Sequence, residues 1–159
     1  MVTLRPWQPE DRSLLDRFNT REMTAHQVRA ETEEELDKRH ARYLRSDLPG
    51  QVLVVVDGED VVGSVAYWEH AADPEHVVWE AGWSVLPEFQ GRGLAGRAID
   101  ALIEIIRAEG LHSELHAYPA VDNAPSNALC RRAGFVMVGT TPFPFRGGVL
   151  LSNDWMLEL

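Results

Sequence analysis

The residues with the clearest chemical potential lie in a glycine-rich turn near the middle of the chain, at residues 91–97. Three glycines within six residues, Gly91, Gly93 and Gly96, let the backbone turn tightly and bring several N–H groups close to one ligand. A predicted helix begins in the same turn, so the positive end of its dipole points at that place. Because Arg92 and Arg97 add positive charge, the segment predicts a binding site for a diphosphate group.

The same segment satisfies the Gly-x-Gly-x-x-Gly string of dinucleotide-binding folds. That fingerprint follows the first strand of a βαβ unit and needs an acidic residue about 20 positions later. Here the turn lies past residue 85 and follows several predicted strands. We therefore favour a different diphosphate-containing cofactor over a dinucleotide, and a purely structural turn is the remaining alternative.

Two segments resemble the cofactor motifs of the GCN5-related N-acetyltransferase (GNAT) superfamily. In that family a Gln/Arg-x-x-Gly-x-Gly/Ala signature follows a strand, and Gln90, Gly93 and Ala95 match it. The segment from Asn123 to Phe135 is similar to the second motif, which is an Asn, a short helix and then Gly-Phe. The resemblance covers most of the chain in layout, and its details are most similar to the branch that acetylates ribosomal proteins.

The resemblance implies acetyl-CoA as the co-substrate. N–H groups of the turn then bind the diphosphate, and the main chain of Trp83, Ser84 and Val85 bonds the pantetheine amides as an added strand does. Asn123 fixes the far side of the arm, caps the next helix, or does both. The complete set of predicted cofactor residues is Trp83, Ser84, Val85, Gln90, Gly91, Arg92, Gly93, Leu94, Ala95, Gly96, Arg97, Asn123 and Ser126.

Transfer of an acetyl group to an amine requires a base, because a lysine-like amine with a pKa of about 10.4 is protonated at neutral pH. Glu80 is the candidate. It interrupts an apolar strand, and alternation places it on the same face as Gly82 and Ser84. Its counterpart in the resembling branch is often assigned this role. The alternative is an edge-strand carboxylate that faces water or pairs with an arginine.

The remaining catalytic needs are an oxyanion partner and an acid for the departing thiolate. The N–H of Val85 is the candidate oxyanion donor. Many relatives carry a tyrosine seven residues after the helix-capping Asn, whereas this chain has Cys130 there and so departs from the family pattern at the position of the acid. Three interpretations of Cys130 stay open, namely core packing, a weak acid beside the coenzyme sulfur, and an acetyl-cysteine intermediate. Tyr118 is a second candidate acid, an acceptor-site wall, or a packing residue.

Bulk properties narrow the function class. A chain of 159 residues fits one domain, residues 1–159. A net charge of −10 argues against a nucleic-acid partner and favours a cationic acceptor. The single cysteine and the lack of a long apolar run predict a cytoplasmic protein without a membrane segment. We expect a monomer or a homodimer. The six histidines are scattered, so we expect no metal site.

The periodicity predicts an α/β fold in which a mixed, mostly antiparallel sheet of six to seven strands carries helices on both faces. The resemblance adds that strands 77–85 and 113–118 splay apart to hold the cofactor. Thr32 and Glu35 predict a capping box before a helix with Leu36, His40, Tyr43 and Leu44 inside. The predicted elements are strands 2–7, 52–56, 61–68, 77–85, 113–118, 136–141 and 154–157, and helices opening at 9–11, after Thr32, at 93–109 and from 123 to 134.

The acceptor pocket is expected from three segments near the thioester, at 18–29, 67–70 and 142–148, the last predicted as a loop. Small amines, aminoglycoside-like cations, amino acids and protein N-termini all stay open as acceptors, because specificity resides in variable loops. Two further functions stay open as well. One is a non-catalytic acyl-CoA-binding module, and the other is an acyltransferase that uses a different acyl group.

Overall fold

A single seven-stranded sheet organises the chain in a computed structural model that describes residues 1–159. The strands are β1 (Val2–Pro6), β2 (Gly50–Asp57), β3 (Asp60–Asp73), β4 (His76–Val85), β5 (Glu114–Ala117), β6 (Val136–Phe145) and β7 (Gly148–Glu158). Their order in the sheet is β1-β2-β3-β4-β5-β7-β6. Only β4 and β5 pair in parallel. The predicted mixed, mostly antiparallel sheet is therefore confirmed.

Four helices cover the two faces of the sheet, as predicted. They are α1 (Arg12–Phe18), α2 (Glu33–Tyr43), α3 (Leu94–Glu109) and α4 (Ala124–Arg132). On β2, Val54 packs with the buried residues of α1 and α2, and its neighbour Val55 packs with those of α3 and α4. Because successive side chains point to opposite faces, β2 separates two cores, and the sheet has an α1–α2 face and an α3–α4 face.

Helix α3 begins and ends at glycines with positive φ. Gly93 is the residue before it (φ 73°) and Gly110 follows it (φ 67°), and the Gly110 N–H donates to the Ile106 carbonyl. Gly110 is therefore the C-terminal cap of α3. The exposed side of α3 carries a polar stripe made of Arg97, Asp100, Glu104 and Arg107. The buried residues of α3 lie opposite this stripe, and they are Leu94, Ala98, Ile99, Leu102, Ile103 and Ile106.

The capping box predicted for α2 is present. The Glu35 N–H donates to the Thr32 hydroxyl (3.2 Å), and the Thr32 N–H donates to the Glu35 carboxylate (3.1 Å). Leu36 is fully buried. The prediction that Leu44 lies on the inner face of α2 was wrong, because Leu44 follows the helix as its C-cap and is exposed.

The largest correction concerns residues 142–148, which were predicted as a loop. Residues 142–145 instead extend β6, and Pro142 pairs in register with Leu151 of β7. Proline lacks a backbone N–H, but β6 is the last strand of the sheet, where one side needs no ladder partner. An edge position therefore admits the two prolines that suggested a loop.

None of the four helices combines the length and apolar character that a membrane-spanning helix requires.

Candidate active site

Strands β4 and β5 diverge in the middle of the sheet. They pair only at Trp79↔Leu115 and Glu80↔His116. Beyond that point β4 continues to Val85 along β3, and β5 pairs with β7 on its other side up to Ala117. The edge of β4 from residue 81 to residue 85 thus faces a gap rather than a strand.

Backbone groups of β4 point into this gap. The Leu86 N–H donates to the Val62 carbonyl of β3 (2.9 Å). Because N–H directions alternate along a strand, the N–H groups of Val85 and Trp83 point the other way, toward the gap. These donors suit the amides and the developing oxyanion of an acyl-pantetheine arm laid along β4.

The glycine-rich turn lies at the end of this gap. Gly91 (φ 78°) and Gly93 (φ 73°) both adopt left-handed backbone, which favours glycine. The Gln90 side chain donates to the Val85 carbonyl (2.9 Å), and the Arg92 guanidinium donates to the Glu88 carbonyl (3.1 Å). Gln90 therefore fastens the turn to the end of β4, and Arg92 fastens it to the segment that joins β4 to the turn, with the N-terminus of α3 beside it.

Residues 94–97, which form the first turn of α3, differ in how much of each is accessible to a ligand. The side chain of Leu94 is buried in the core, so only its N–H is free to meet a ligand. Ala95 is half-buried, and Arg97 is exposed. Gly96 lies against α4, because a Cβ built there would be 4.0 Å from Leu129 Cδ2.

Helix α4 approaches the gap from the other side. Asn123 accepts a hydrogen bond from the Ser126 N–H (3.3 Å), as expected of an N-cap. The Trp83 indole lies 3.4 Å from the Ser126 hydroxyl. Asn127 was missed by sequence reasoning, and its side chain bonds the Ala120 carbonyl (3.0 Å) and the Trp155 indole (2.8 Å). Asn127 thus ties α4 to β7 and to the segment after β5.

Glu80 lies where β4 and β5 part, on the α1–α2 face. It is 8% exposed, and its carboxylate is 3.5 Å from Nδ1 of His70. Burial raises the pKa of Glu80 to about 7, while Trp68 and the charge of His116 lower it and Asp154 raises it further. A carboxyl group with this pKa is suited to accept and release protons near neutral pH.

Tyr118 and Cys130 differ in their surroundings. Tyr118 is half-buried and stacks on Phe143 (ring centroids 4.9 Å apart) and His116 (5.9 Å). Burial raises the pKa of the Tyr118 phenol, so it stays protonated at neutral pH. Cys130 belongs to the α3–α4 core with no exposed surface, and burial raises the pKa of its thiol to about 12. These surroundings favour the packing interpretation of Cys130.

The structure brings together parts of all three segments expected to form the acceptor pocket. His70 lies beside Phe143 of β6 (5.9 Å between ring centroids), and the tip of the β6–β7 hairpin meets the α1–α2 connection at Arg146. The prediction was wrong for Tyr67 and Glu69, which do not face the acceptor pocket. Alternation on β3 turns Tyr67 to the α3–α4 core beside Trp79, and Glu69 pairs with His112 there.

Arg146 fastens the hairpin to the α1–α2 connection. Its guanidinium bonds the Glu31 carboxylate (2.8 Å), the Arg29 carbonyl (2.9 Å) and the Gln27 side chain. The Arg146 and Glu31 side chains are both 9% exposed. Glu31 also pairs with Arg39 of α2 (2.9 Å). The two segments that border the α1–α2 face of the site are thus joined by a buried ion pair.

Arg146→Ala is expected to lower the free energy of unfolding by about 2–3 kcal/mol, because it removes charged hydrogen bonds from a buried group. Arg39 still pairs with Glu31, so the loss of stability is smaller than it would be for a buried carboxylate with no partner. Chemical denaturation measures the free energy of unfolding. Arg45→Ala, which removes the exposed pair with Asp47, is the control and should show no measurable change. Equal effects of the two substitutions would contradict this account of the hairpin.

Two residues near Glu80 were not singled out from the sequence. His116 of β5 and Asp154 of β7 lie 2.6 Å apart and share the α1–α2 face with Glu80. Strand alternation could have indicated His116, because it lies two residues before the candidate Tyr118 in the predicted strand 113–118 and therefore points to the same face. The contact with Asp154 crosses 38 residues of sequence and had no local signal. No group of three or more His, Cys, Asp or Glu side chains is arranged to hold a metal ion.

The sheet, the diverging strand pair and the glycine-rich turn together define the architecture of acyl-CoA N-acyltransferases. The family described as "Acetyltransferase (GNAT) domain" matches residues 1–136. The chain belongs to this family, and it is an acetyl-CoA-dependent N-acetyltransferase. Among curated proteins, none matches the chain significantly in sequence.

Solved structures with the same fold have acceptors of several kinds. The aminoglycoside acetyltransferase AAC(6')-Ib, in complex with coenzyme A, is 18% identical with a TM-score of 0.82, covering 99% of this chain and 95% of its own. Spermidine N-acetyltransferase from Vibrio cholerae, with CoA and spermine, is 20% identical with a TM-score of 0.80 and the same coverage. A Salmonella typhimurium acetyltransferase that modifies the N-terminal serine of a ribosomal protein is 17% identical with a TM-score of 0.81, again covering 99% and 95%.

Proposed function

We propose that the protein transfers an acetyl group from acetyl-CoA to a primary amine by direct attack in a ternary complex, with Glu80 as the base. The observation that carries this mechanism is the placement of Glu80, a buried carboxyl group at the point where β4 and β5 diverge. The amine loses its proton to Glu80, and its lone pair then attacks the thioester carbonyl. The C–S bond breaks as the tetrahedral intermediate collapses, and coenzyme A leaves as the thiol.

The cofactor would lie along the gap. The N–H groups of residues 91–96 and the N-terminus of α3 would hold the diphosphate, with Arg92 and Arg97 adding positive charge. The N–H of Val85 points into the gap and would stabilise the oxyanion. Asn123 and Ser126 would border the arm on the α4 side. Tyr118 is better supported than Cys130 as the proton donor to the thiolate. Tyr118 is half-buried on the same face of the sheet as Glu80, whereas Cys130 has no exposed surface.

The acceptor is proposed to be a cationic amine. Three carboxyl groups lie on the α1–α2 face around the point of divergence, namely Glu80, Glu114 and Asp154. His70, Tyr118 and Phe143 supply aromatic walls, which also favour cations. Structural neighbours that act on aminoglycosides, on spermidine and on a ribosomal protein have nearly equal TM-scores. The likeness to the ribosomal-protein branch therefore stays a proposal carried by the sequence alone.

The direct test is release of free thiol from acetyl-CoA in the presence of amines, namely a polyamine, an aminoglycoside, an amino acid and a peptide with a free N-terminus. Acceptor-dependent thiol release and an acetylated product are expected for at least one cationic amine. Residues 1–159 are proposed to act as a single domain. A cytoplasmic location is proposed as well, on the strength of the one free cysteine.

The value of kcat/KM is expected to rise with pH through about pH 7. Glu80 must be ionised to accept the amine proton, and its pKa of about 7 sets the acid limb of the profile. Activity should therefore fall about tenfold for each pH unit below 6. Initial rates between pH 5.5 and 9 measure this, and a profile that stays flat from pH 5.5 to 8 would exclude Glu80 as the base.

Cys130→Ala is expected to retain most of the activity and to lower the free energy of unfolding by about 1 kcal/mol, because it leaves a small cavity in the core. Mass spectrometry of the wild-type protein with acetyl-CoA and no acceptor should show no acetylated enzyme. Loss of turnover in this variant, together with an acetylated wild-type protein, would instead establish a covalent route through Cys130.

A further inference from the structure

His116 is held between two carboxylates. Its Nδ1 lies 2.6 Å from Asp154 Oδ1, and its Nε2 lies 3.0 Å from Glu114 Oε1. Because carboxylates only accept hydrogen bonds, each ring nitrogen of His116 must donate one. Only the imidazolium form carries two N–H groups. The side chain is 8% exposed, so water competes little for either contact.

This imidazolium lies next to Glu80. Glu80 and His116 are register partners in the parallel pairing of β4 and β5, so their side chains share one face on adjacent strands. Trp68 and His70 of β3 face the same place, His70 with its Nδ1 3.5 Å from the Glu80 carboxylate. The other titratable groups on this face are Glu114 of β5, Tyr118 just after β5, and Asp154 of β7.

Among these groups, His116 is the cation. Burial and the charge of His116 both lower the pKa of His70, which leaves it neutral at pH 7. Tyr118 stays a neutral phenol. The carboxylates of Asp154 and Glu114 both accept hydrogen bonds from His116. The second oxygen of Glu114 faces His76 (3.3 Å) at the surface. The His116 ring is thus a positive charge held in place from both sides by carboxylates, and it lies beside the buried Glu80, whose pKa its charge lowers.

We propose that His116 is a positioning residue of the reaction, an imidazolium fixed by Asp154 and Glu114 that keeps Glu80 ionised and ready to accept the amine proton. This inference rests on the proposed function, because Glu80 is the base only there. His116 does not act as the base itself, since neither ring nitrogen has a free lone pair. Without it, Glu80 would be a buried acid that stays protonated to higher pH.

The kinetic test compares His116→Gln with the wild-type protein. Glutamine keeps polar contacts but carries no charge, so the acid limb of kcat/KM should move up by about one pH unit. Activity at pH 6.5 should fall about tenfold and recover above pH 8.5. His112→Gln is the matched control, because His112 also pairs with a carboxylate (Glu69, 2.7 Å) but lies on the α3–α4 side. Its profile should not move.

A loss of activity in His116→Gln that is equal at every pH would show a structural role and overturn the proposal, as would an unchanged profile. NMR of the wild-type protein gives a second test that needs neither turnover nor the variant. The ¹⁵N shifts of His116 should report two protonated nitrogens at pH 7, because each ring nitrogen faces a carboxylate. An unprotonated ring nitrogen at pH 7 would overturn the proposal even if the variant failed to fold.

The ¹³C carboxyl shift of Glu80 separates this inference from the proposed function. In His116→Gln the Glu80 carboxyl should titrate about one pH unit higher than in the wild-type protein, with no cofactor or acceptor present. If that shift is seen in a protein that acetylates no amine, the coupling stands and the proposed function fails. If the protein is active but Glu80 titrates at the same pH in both, the proposed function stands and this inference is overturned.

Discussion

Glu80→Gln is expected to lower kcat for acetyl transfer by about 10²- to 10⁴-fold at pH 7.5, the range that a positioned general base contributes. Glutamine has nearly the same shape as glutamate but cannot accept the amine proton. Binding of acetyl-CoA should change little, because Glu80 lies at the point of divergence and not along the free edge of β4. Steady-state rates with a responsive amine, and calorimetry with coenzyme A, measure the two quantities.

The same substitution should stabilise the protein, which separates lost chemistry from lost folding. Glu80 titrates at about pH 7 in the folded state, against an ordinary value of 4.5. Between these values the folded state binds more protons, so the stability that this group contributes falls as pH rises through the window. Above pH 7 the buried carboxylate costs about 3 kcal/mol, which the neutral amide avoids.

Glu69→Gln is the matched control, since it removes a carboxylate of the neighbouring strand that lies on the other side of the sheet with His112. It should retain activity within about twofold. If Glu80→Gln kept full activity at neutral pH, the assignment of the base would be wrong. If both variants lost activity equally, general electrostatics and not proton transfer would explain the result.

Gly93→Val is expected to weaken coenzyme A binding by at least about tenfold. Gly93 has φ 73° at the residue before α3, where a β-branched side chain is strained by about 1–3 kcal/mol. The turn can relieve that strain only by moving the N–H groups proposed to bind the diphosphate. Isothermal titration with coenzyme A measures the affinity.

Gly58→Val supplies the control for strain alone. Gly58 also has positive φ (63°) with no atom within 4 Å of a built Cβ, but it lies in the turn between β2 and β3. Both variants should lose similar stability, and only Gly93→Val should lose affinity. Equal affinities in the two variants would show that the glycine-rich turn does not hold the cofactor.

Features with a local physical cause could be predicted from the sequence. Thr32 and Glu35 cap a helix through bonds three residues apart, and Gly93 and Gly110 bound α3 because only glycine adopts their φ readily. The polar stripe of α3 follows from helical periodicity. The order of these elements, together with two motifs, indicated the fold and the cofactor.

Features that depend on distant partners could not be predicted. The prolines of β6 are tolerated because β6 is the edge strand, which is a property of the whole sheet. His116 meets Asp154 only because β5 and β7 pair antiparallel. Strand alternation requires Tyr67 and His70 to face opposite sides of β3, but it does not tell which side carries the reaction, so residues 67–70 were all assigned to the acceptor pocket. The surroundings of Glu80 therefore required the structure.

One measurement tests the central claim most directly, namely thiol release from acetyl-CoA with and without a cationic amine, followed by mass analysis of both amine and enzyme. The account predicts thiol release that depends on the amine, one acetyl group on the amine, and none on the protein. Tight binding of coenzyme A with no transfer to any amine of the panel would contradict it, and would instead indicate a non-catalytic acyl-CoA-binding module.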